Sequence, residues 1–341
     1  MSLVSSTLFL LLSLVPASGK SAPLGDCTDC SYTPSTTALC AQHEEREREV
    51  LSEAKREFKQ VDPRDRRRAL KKAAMLTKSH AAAPSRDVAK FLAEGLEDDD
   101  LTVREESLEL LLEGQHPDET VKALMSAWKQ AKKGLDKYKS DLKLTEKYKG
   151  QFSKKSTAVF DKIRSFPADL SYAVKLLGSI GALPDKRCEA QLISLLEESL
   201  PKANALLDLA AAGGLLNLGS YEGLEAVIEF QEDLASLLTR KKIPARYGQS
   251  GSPSVLDLWL SMDRELRETD FDRIALALGE AVQAKGVAKF PGPGLDDAEE
   301  WKNWFKEHGA THWKPLPEDV PVLERVPAVP LVEVDISALP K

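Results

Sequence analysis

The chain has 341 residues, of which 42% are hydrophobic and 30% charged, and its formal net charge is −7. This composition supplies enough apolar material for a core and excludes a wholly disordered chain. The acidic balance gives no reason to expect nucleic-acid binding. Aromatic residues make up only 6%, and the helix formers Leu, Ala, Glu and Lys are abundant, so the composition favours an all-α fold.

The first 22 residues have the pattern of a secretory signal peptide. An apolar run, LFLLLSLV, spans residues 8–15, small residues follow at 16–19, and a second possible cleavage stretch ends at Ala22. The run is shorter than the roughly 20 apolar residues that cross a bilayer. No Lys or Arg precedes it, so an uncleaved anchor and a wrongly assigned start are the alternatives. We expect an exported protein, periplasmic or secreted, that is not transmembrane after signal cleavage.

Residues 23–40 form an irregular polar segment that contains three of the four cysteines. Cys27, Cys30 and Cys40, followed by His43, have the spacing of a three-Cys, one-His zinc site. The oxidising compartment expected for an exported chain favours instead a disulfide from Cys27 or Cys30 to Cys40. The sequence favours the disulfide and leaves open a zinc site or neither arrangement.

Helical patterns begin after this segment. A charged capping helix is predicted over 41–63, because its apolar residues form one narrow stripe and Asp62-Pro63 ends it. Helix pairs are predicted over 64–128, with helices at 64–79, 85–97 and 103–114 and a further helix after Pro117. Gly and Asp residues at the short joins suit helix caps, so antiparallel pairing follows.

A lysine-rich segment over 129–165 interrupts the helix pairs. Residues 129–164 hold twelve Lys or Arg against four Asp or Glu. One interpretation is a solvated helical insertion. The other is a basic arm for an acidic partner, an anionic polymer or a membrane surface. The candidate partner-binding residues are Lys129, Lys132, Lys133, Lys137, Tyr138, Lys143, Lys147 and Tyr148.

A second set of helix pairs is predicted over 166–286. The tetrapeptides LLGS and NLGS place Gly178 and Gly219 41 residues apart, and each LGS is predicted to end a helix. A period of this length lies in the range of HEAT and armadillo repeats. Gly213-Gly214 falls inside a helical pattern, which predicts close packing between helices.

The spacing of apolar residues, the small residues at helix crossings and the Asp100 and Arg104 pair near a turn resemble HEAT repeats over residues 64–286. The resemblance implies an all-α, right-handed superhelix of antiparallel helix pairs, an armadillo-like α-solenoid whose concave face binds protein segments. An irregular helical bundle is the alternative.

The C-terminal part begins with a linker over 287–294. A Trp-rich helix is predicted over 295–313 and is expected to end at Gly309. It is similar to tryptophan-rich tails that follow HEAT repeats in some exported bacterial proteins, and its candidate partner-binding residues are Trp301, Trp304 and Trp313. Residues 314–341 are Pro-rich and expected to be extended or disordered.

No motif for catalysis is present in the sequence. Residues 248–251, GQSG, do not satisfy G-x-S-x-G, and phosphate-loop, HExxH and dinucleotide patterns are missing. His308 and His312 are four apart, but the predicted helix end at Gly309 favours surface histidines over a metal pair. We predict no catalytic, cofactor or metal site and a non-catalytic scaffold for an unknown protein partner. The alternatives are an enzyme or enzyme accessory with an unrecognised site, and polyanion binding through the lysine-rich segment.

Overall fold

The computed structural model describes residues 41–78, 86–114, 116–147, 154–199, 205–239 and 264–317. Within these ranges the chain is all-α and contains no strand. The predicted signal peptide, Cys27, Cys30 and Cys40, and residues 318–341 lie outside them. The α-helices are α1 (Ala41–Glu57), α2 (Pro63–Lys78), α3 (Arg86–Glu94), α4 (Leu101–Glu113), α5 (Pro117–Lys147), α6 (Lys154–Ile180), α7 (Lys186–Ser199), α8 (Ala205–Leu218), α9 (Tyr221–Thr239), α10 (Arg264–Ala284) and α11 (Ala298–His312). Short 3-10 helices lie at Gly95–Glu97 and Leu295–Asp297.

Local sequence signals set several of the helix ends. The Asp100 carboxylate accepts hydrogen bonds from the backbone N–H of Thr102 at 2.9 Å and of Val103 at 3.4 Å, which satisfies donors that the first turn of α4 leaves unpaired. Gly219 follows α8 with a φ of 60°, a conformation that glycine adopts without steric cost. The next residue, Ser220, accepts a hydrogen bond from Gly223 N at 3.1 Å through its hydroxyl and caps the start of α9.

The two LGS tetrapeptides do not play the same structural role. Gly219 ends α8 as expected, but Gly178 lies inside α6, which continues to Ile180. The first LGS therefore lies in the last turn of α6, one residue before its end, whereas the second contains the glycine that terminates α8. The close helix contact occurs at Gly181, where an added Cβ would lie 2.2 Å from the Cα of Gly214. This contact confirms that Gly214 allows two backbones to approach closely.

The helices contact their neighbours in a regular order. The even-numbered helices pack in series, with α2 on α4, α4 on α6, α6 on α8 and α8 on α10. The odd-numbered helices from α3 to α11 do the same, and most successive helices also pack on each other. Apolar side chains from Leu51 on α1 to Trp313 after α11 join into one core.

The lysine-rich segment is not a separate unit in the structure. Helix α5 has 31 residues and α6 has 27, and the predicted boundaries at 129 and 165 fall inside them. The two helices pack along each other, and the rings of Tyr138 and Phe166 meet edge to face at 5.1 Å. The six-residue join between the helices makes this pair antiparallel.

The last helix extends further than the sequence suggested. Helix α11 passes through Gly309 and ends at His312, so the predicted end at Gly309 is wrong. Glycine occurs here because the Phe305 ring lies against the backbone, where an added Cβ would be 2.5 Å from Phe305 Cε2. The preceding linker is packed against the same helix, since Trp301 Nε1 donates to Gly292 O at 3.0 Å.

A bidentate ion pair joins α2 to the segment between α3 and α4. The Arg66 guanidinium donates to both carboxylate oxygens of Asp98 at 2.8 and 2.9 Å. It also donates to Val61 O at 2.6 Å, and Asp98 accepts from Asp100 N at 2.8 Å. Because the Asp98 side chain is only 7% exposed, this bidentate pair is held in one geometry.

Candidate functional site

An open groove runs beside α5, bounded by the 3-10 helix after α3 and by α4 and α6. Its volume is about 350 Å³, within the range of sites that bind small molecules or short segments. We call it the α5 groove. Its apolar lining comes from Leu96, Ala127, Ala131, Leu135 and the Tyr172 ring.

Hydrogen-bonded polar groups form the wall of the groove where α4, α5 and α6 meet. The Arg104 guanidinium donates to Asp169 Oδ1 at 2.9 Å, and the Tyr138 hydroxyl donates to Asp169 Oδ2 at 2.7 Å. The Tyr138 oxygen also lies 2.6 Å from Ser165 Oγ. One carboxylate therefore holds a cation from α4 and a phenol from α5 in place.

Arg104 is further held by an aromatic ring. Its guanidinium carbon lies 4.7 Å from the centroid of the Tyr172 ring, which is cation–π geometry. The Tyr172 hydroxyl in turn donates to Leu96 O at 3.0 Å. The Arg104 side chain is 18% exposed, and its Nε has no hydrogen-bond partner in the described part of the chain. The Arg104 Nε atom is enclosed by the surrounding side chains, so the guanidinium acts in the groove wall through its contacts with Asp169 and Tyr172.

The two phenols of the groove are protonated at neutral pH. Burial, together with the neighbouring Asp169 carboxylate, raises the pKa of Tyr138 to about 12. Burial also raises the pKa of Tyr172. Both phenols therefore stay protonated and act as hydrogen-bond donors. The titratable lining of the groove also includes the carboxylates of Glu97 and Asp169.

A glycine in the middle of α5 leaves the floor of the groove open. Gly134 lines the groove, and a Cβ added there would meet no heavy atom within 4 Å. The packing of the described residues would therefore accommodate a side chain at this position. This differs from Gly181, where the facing backbone excludes a side chain.

Three exposed lysines follow one face of α5 beside the groove. Lys129, Lys133 and Lys137 are spaced by four residues, which stacks them along the helix, and we call them the lysine ridge. None of them forms an ion pair with a residue that the structure describes. Lys132, by contrast, pairs with Glu198 of α7 at 2.5 Å. The side chains of Lys143 and Lys147, and the whole of Tyr148, lie outside the described residues.

A second open groove lies on α1. Its volume is about 520 Å³, and exposed Lys55, Arg56 and Lys59 line it together with Asp87 of α3. Leu51 is the one large aliphatic residue in its lining. This second basic surface serves as an internal comparison for the first.

Other candidate groups do not assemble into a reactive site. Among the described residues, no group of three His, Cys, Asp or Glu side chains could hold a metal ion. His308 and His312 do share α11, and both are exposed. Cys188 is fully buried, and burial raises the pKa of its thiol to about 12, so it is a core residue rather than a nucleophile.

The three predicted tryptophans lie mainly in the core. Trp301 is 1% and Trp313 is 2% exposed, so both are inaccessible to a partner in this structure. Trp304 is half-buried and donates to Lys289 O at 3.1 Å. The structure therefore places two of the three tryptophans in the core.

The sequence pattern predicts the three lysines of the ridge and Tyr138 as candidate binding residues, but it does not reveal most of the residues that line the groove. Arg104 was noted only for its resemblance to a repeat residue near a turn. Asp169, Tyr172 and Gln130 carried no signal, because an isolated Asp, Tyr or Gln in a helical pattern is ordinary. Gly134 was the one available clue, since a glycine within a helical pattern lowers helix stability and calls for a reason.

The fold and the groove together define an all-helical protein with an open cleft of mixed polarity. No family model matches the chain, and no curated protein matches it. Among solved structures, an engineered protein of the Northeast Structural Genomics Consortium is similar over 78% of this chain and 98% of its own, with 16% identity and a TM-score of 0.29. A TM-score of that size carries no argument about fold or function. None of the helices in the described ranges combines the length and hydrophobicity needed to cross a membrane.

Proposed function

We propose that the protein is a non-catalytic interaction scaffold that holds a partner polypeptide in the α5 groove. The observation that carries this proposal is the groove itself, where an apolar lining meets the network of Arg104, Asp169 and Tyr138. Such a surface offers apolar contact together with oriented donors and acceptors, which is what a bound peptide segment requires.

We further propose how the helix pairs are arranged in the fold. We infer a HEAT-like solenoid with a right-handed superhelix, in which each helix pair stacks on the next. The serial contacts of α2, α4, α6, α8 and α10, and of the odd-numbered helices, support this arrangement, because stacked pairs bring each helix against its next-but-one neighbour. Ion pairs between neighbouring helix pairs, such as Arg66 with Asp98 and Arg104 with Asp169, also support the stacked arrangement.

We also propose that the scaffold works in an extracytoplasmic compartment. The support is the apolar run at residues 8–15 with the small residues after it. Deletion of residues 1–22 is expected to retain the protein in the cytoplasm, measured by fractionation and immunoblotting. Export of the shortened chain at the normal level would contradict the proposal.

The scaffold function is tested by site-specific photo-crosslinking of the full chain in its source organism. A photoreactive phenylalanine replaces exposed Gln130 in the α5 groove, and a matched variant carries it at exposed Arg273 on α10. A discrete protein adduct from position 130 that is missing from position 273 is expected. Equal adducts at the two positions, or none at 130, would refute the groove as the partner site.

A second candidate function is binding of a polyanion through the lysine ridge. The observation that favours it is the row of three lysines without an ion pair to any described residue. Retention on a sulfated matrix should then fall when Lys129, Lys133 and Lys137 are replaced by Gln. Unchanged retention would remove this candidate.

A further inference from the structure

We propose that the α5 groove and the lysine ridge form one site for an extended, acidic peptide segment with small apolar side chains. The inference rests on the proposed scaffold function and adds the chemistry of the partner. Its parts are the lysine ridge, the open floor at Gly134 and the apolar and polar walls of the groove.

The charge of the lysine ridge determines which side chains of the bound segment face it. Lysines spaced by four residues on a helix repel one another, and an anionic group bound beside the ridge would relieve this repulsion in addition to the neighbouring Asp136. Lys137 also lines the groove, so the ridge meets the groove at its Lys137 end. Inside the groove, Asp169 is neutralised by Arg104 at 2.9 Å, so it presents no free negative charge to an acidic segment. Carboxylates of the segment would therefore face Lys133 and Lys137.

The open space at Gly134 determines the size of the side chains that the segment places on the groove floor. Glycine is the least favourable residue in a helix after proline, yet Gly134 lies in the interior of α5 with nothing within 4 Å of the Cβ position. Around it stand Ala131, Leu135 and the Tyr172 ring. A small aliphatic side chain fits this open, apolar floor, while the exposed amide of Gln130 can hydrogen-bond to a peptide backbone.

The groove also limits the length of the segment. Ala127 and Lys137 line its two ends and are about 15 Å apart along the axis of an α-helix. An extended chain covers this distance with about four or five residues. Glu97 lies near the Ala127 end and makes the groove electrically asymmetric. The acidic residues of the segment are therefore expected at the Lys137 end, which sets its direction.

A labelled hexapeptide of alternating Glu and Ala tests the proposal by fluorescence anisotropy with the full chain. The matched peptide carries Gln in place of Glu. The Glu peptide is expected to bind at least tenfold more tightly than the Gln peptide. The triple variant Lys129→Gln, Lys133→Gln, Lys137→Gln is expected to weaken binding of the Glu peptide at least tenfold.

Matched variants separate the site from general charge and from stability. Lys55→Gln, Lys59→Gln, Lys289→Gln removes the same charge from exposed positions elsewhere and should change the affinity less than twofold. Gly134→Leu should raise the melting temperature and weaken peptide binding at least tenfold, since leucine favours helix and fills the floor. Gly178→Ala, also a helix glycine with nothing within 4 Å, should leave binding unchanged.

The outcomes distinguish this inference from the scaffold function. If position 130 crosslinks to a partner but the Glu peptide does not bind, the acidic chemistry is wrong and the scaffold stands. If the two triple variants lose equal affinity, or Gly134→Leu binds normally, the site is wrong. If dextran sulfate or phosphatidylglycerol vesicles bind as tightly and depend on the same lysines, the partner is an anionic polymer or surface, and the peptide proposal is overturned.

Discussion

The Arg104 guanidinium donates to the Asp169 carboxylate at 2.9 Å and joins α4 to α6 across 65 residues of chain. The same carboxylate accepts from Tyr138 of α5, so three helices meet at one acidic side chain. The pair is partly buried, with 18% of Arg104 and 27% of Asp169 exposed. Such a pair stabilises the fold only while both partners are present, because a buried charge left alone loses its solvation without compensation.

Separating Arg104 from Asp169 is therefore expected to destabilise the protein. Asp169→Asn and Arg104→Met should each lower the free energy of unfolding by about 1–3 kcal/mol, and the double variant should lose less than the sum. Urea denaturation of all four proteins measures the coupling. The exposed pair of Lys90 and Asp87 is the control and should show little coupling. Strict additivity at Arg104 and Asp169 would show that the contact contributes nothing.

The contact between Gly181 and Gly214 predicts opposite effects of one substitution at two glycines. Gly181→Ala places a Cβ 2.2 Å from the Gly214 backbone, so α6 and α8 must separate, at a cost of about 3 kcal/mol. Gly178→Ala meets nothing within 4 Å and should stabilise α6 by up to about 1 kcal/mol. Thermal unfolding of both variants checks the pair. A Gly181→Ala protein as stable as the wild type would contradict the observed approach.

The Asp100 cap predicts a component of stability that is lost in acid. Its hydrogen bond from the Thr102 hydroxyl, at 2.6 Å, and those from the Thr102 and Val103 N–H lower the pKa of Asp100 below its usual 3.8. A lowered folded-state pKa gives stability that is present above the unfolded-state pKa and lost as the pH falls through the folded one. Asp100→Ala should cost about 1 kcal/mol at pH 7.

Below the pKa of Asp100 this difference between wild type and Asp100→Ala should shrink, as measured by urea denaturation from pH 7 to pH 2. Asp100→Asn is the control, because asparagine caps a helix without titrating. A cost of Asp100→Ala that does not change with pH would show that the ionised carboxylate is not what caps α4.

A buried amide on α9 predicts a stabilising substitution. Gln231 is fully buried, and neither its Oε1 nor its Nε2 has a hydrogen-bond partner among the residues that the structure describes. An unsatisfied buried polar group is unfavourable, so Gln231→Met, of similar length, should raise the free energy of unfolding by about 1 kcal/mol. Gln231→Glu should destabilise the protein, because it buries an unpaired charge. The urea midpoint reports both changes, and a clear loss of stability in Gln231→Met would show that the amide is satisfied in solution.

Local patterns in the sequence predicted the helices well. Apolar stripes, the Asp100 and Ser220 caps and the Gly219 end are properties of a few neighbouring residues, so composition and spacing reveal them. The sequence is less informative where a glycine lies inside a helix. Gly309 has the local pattern of a helix end but lies inside α11, where the Phe305 ring occupies the space of a side chain. Gly178 lies two residues before the end of α6, and none of the described residues requires a glycine there.

The sequence by itself determined that this chain is helical, that its lysines concentrate around α5 and where most helices begin. Only the tertiary structure determined the candidate site. It brought Asp169 within 2.9 Å of Arg104 and placed Tyr138 beside both. Packing also buried Trp301 and Trp313 and left the space at the Cβ position of Gly134 empty. It paired Lys132 with Glu198 but left the three lysines of the ridge without an ion pair to a described residue. The reason is physical: periodicity shows which face of a helix is apolar, but packing against other helices decides which residues on that face meet.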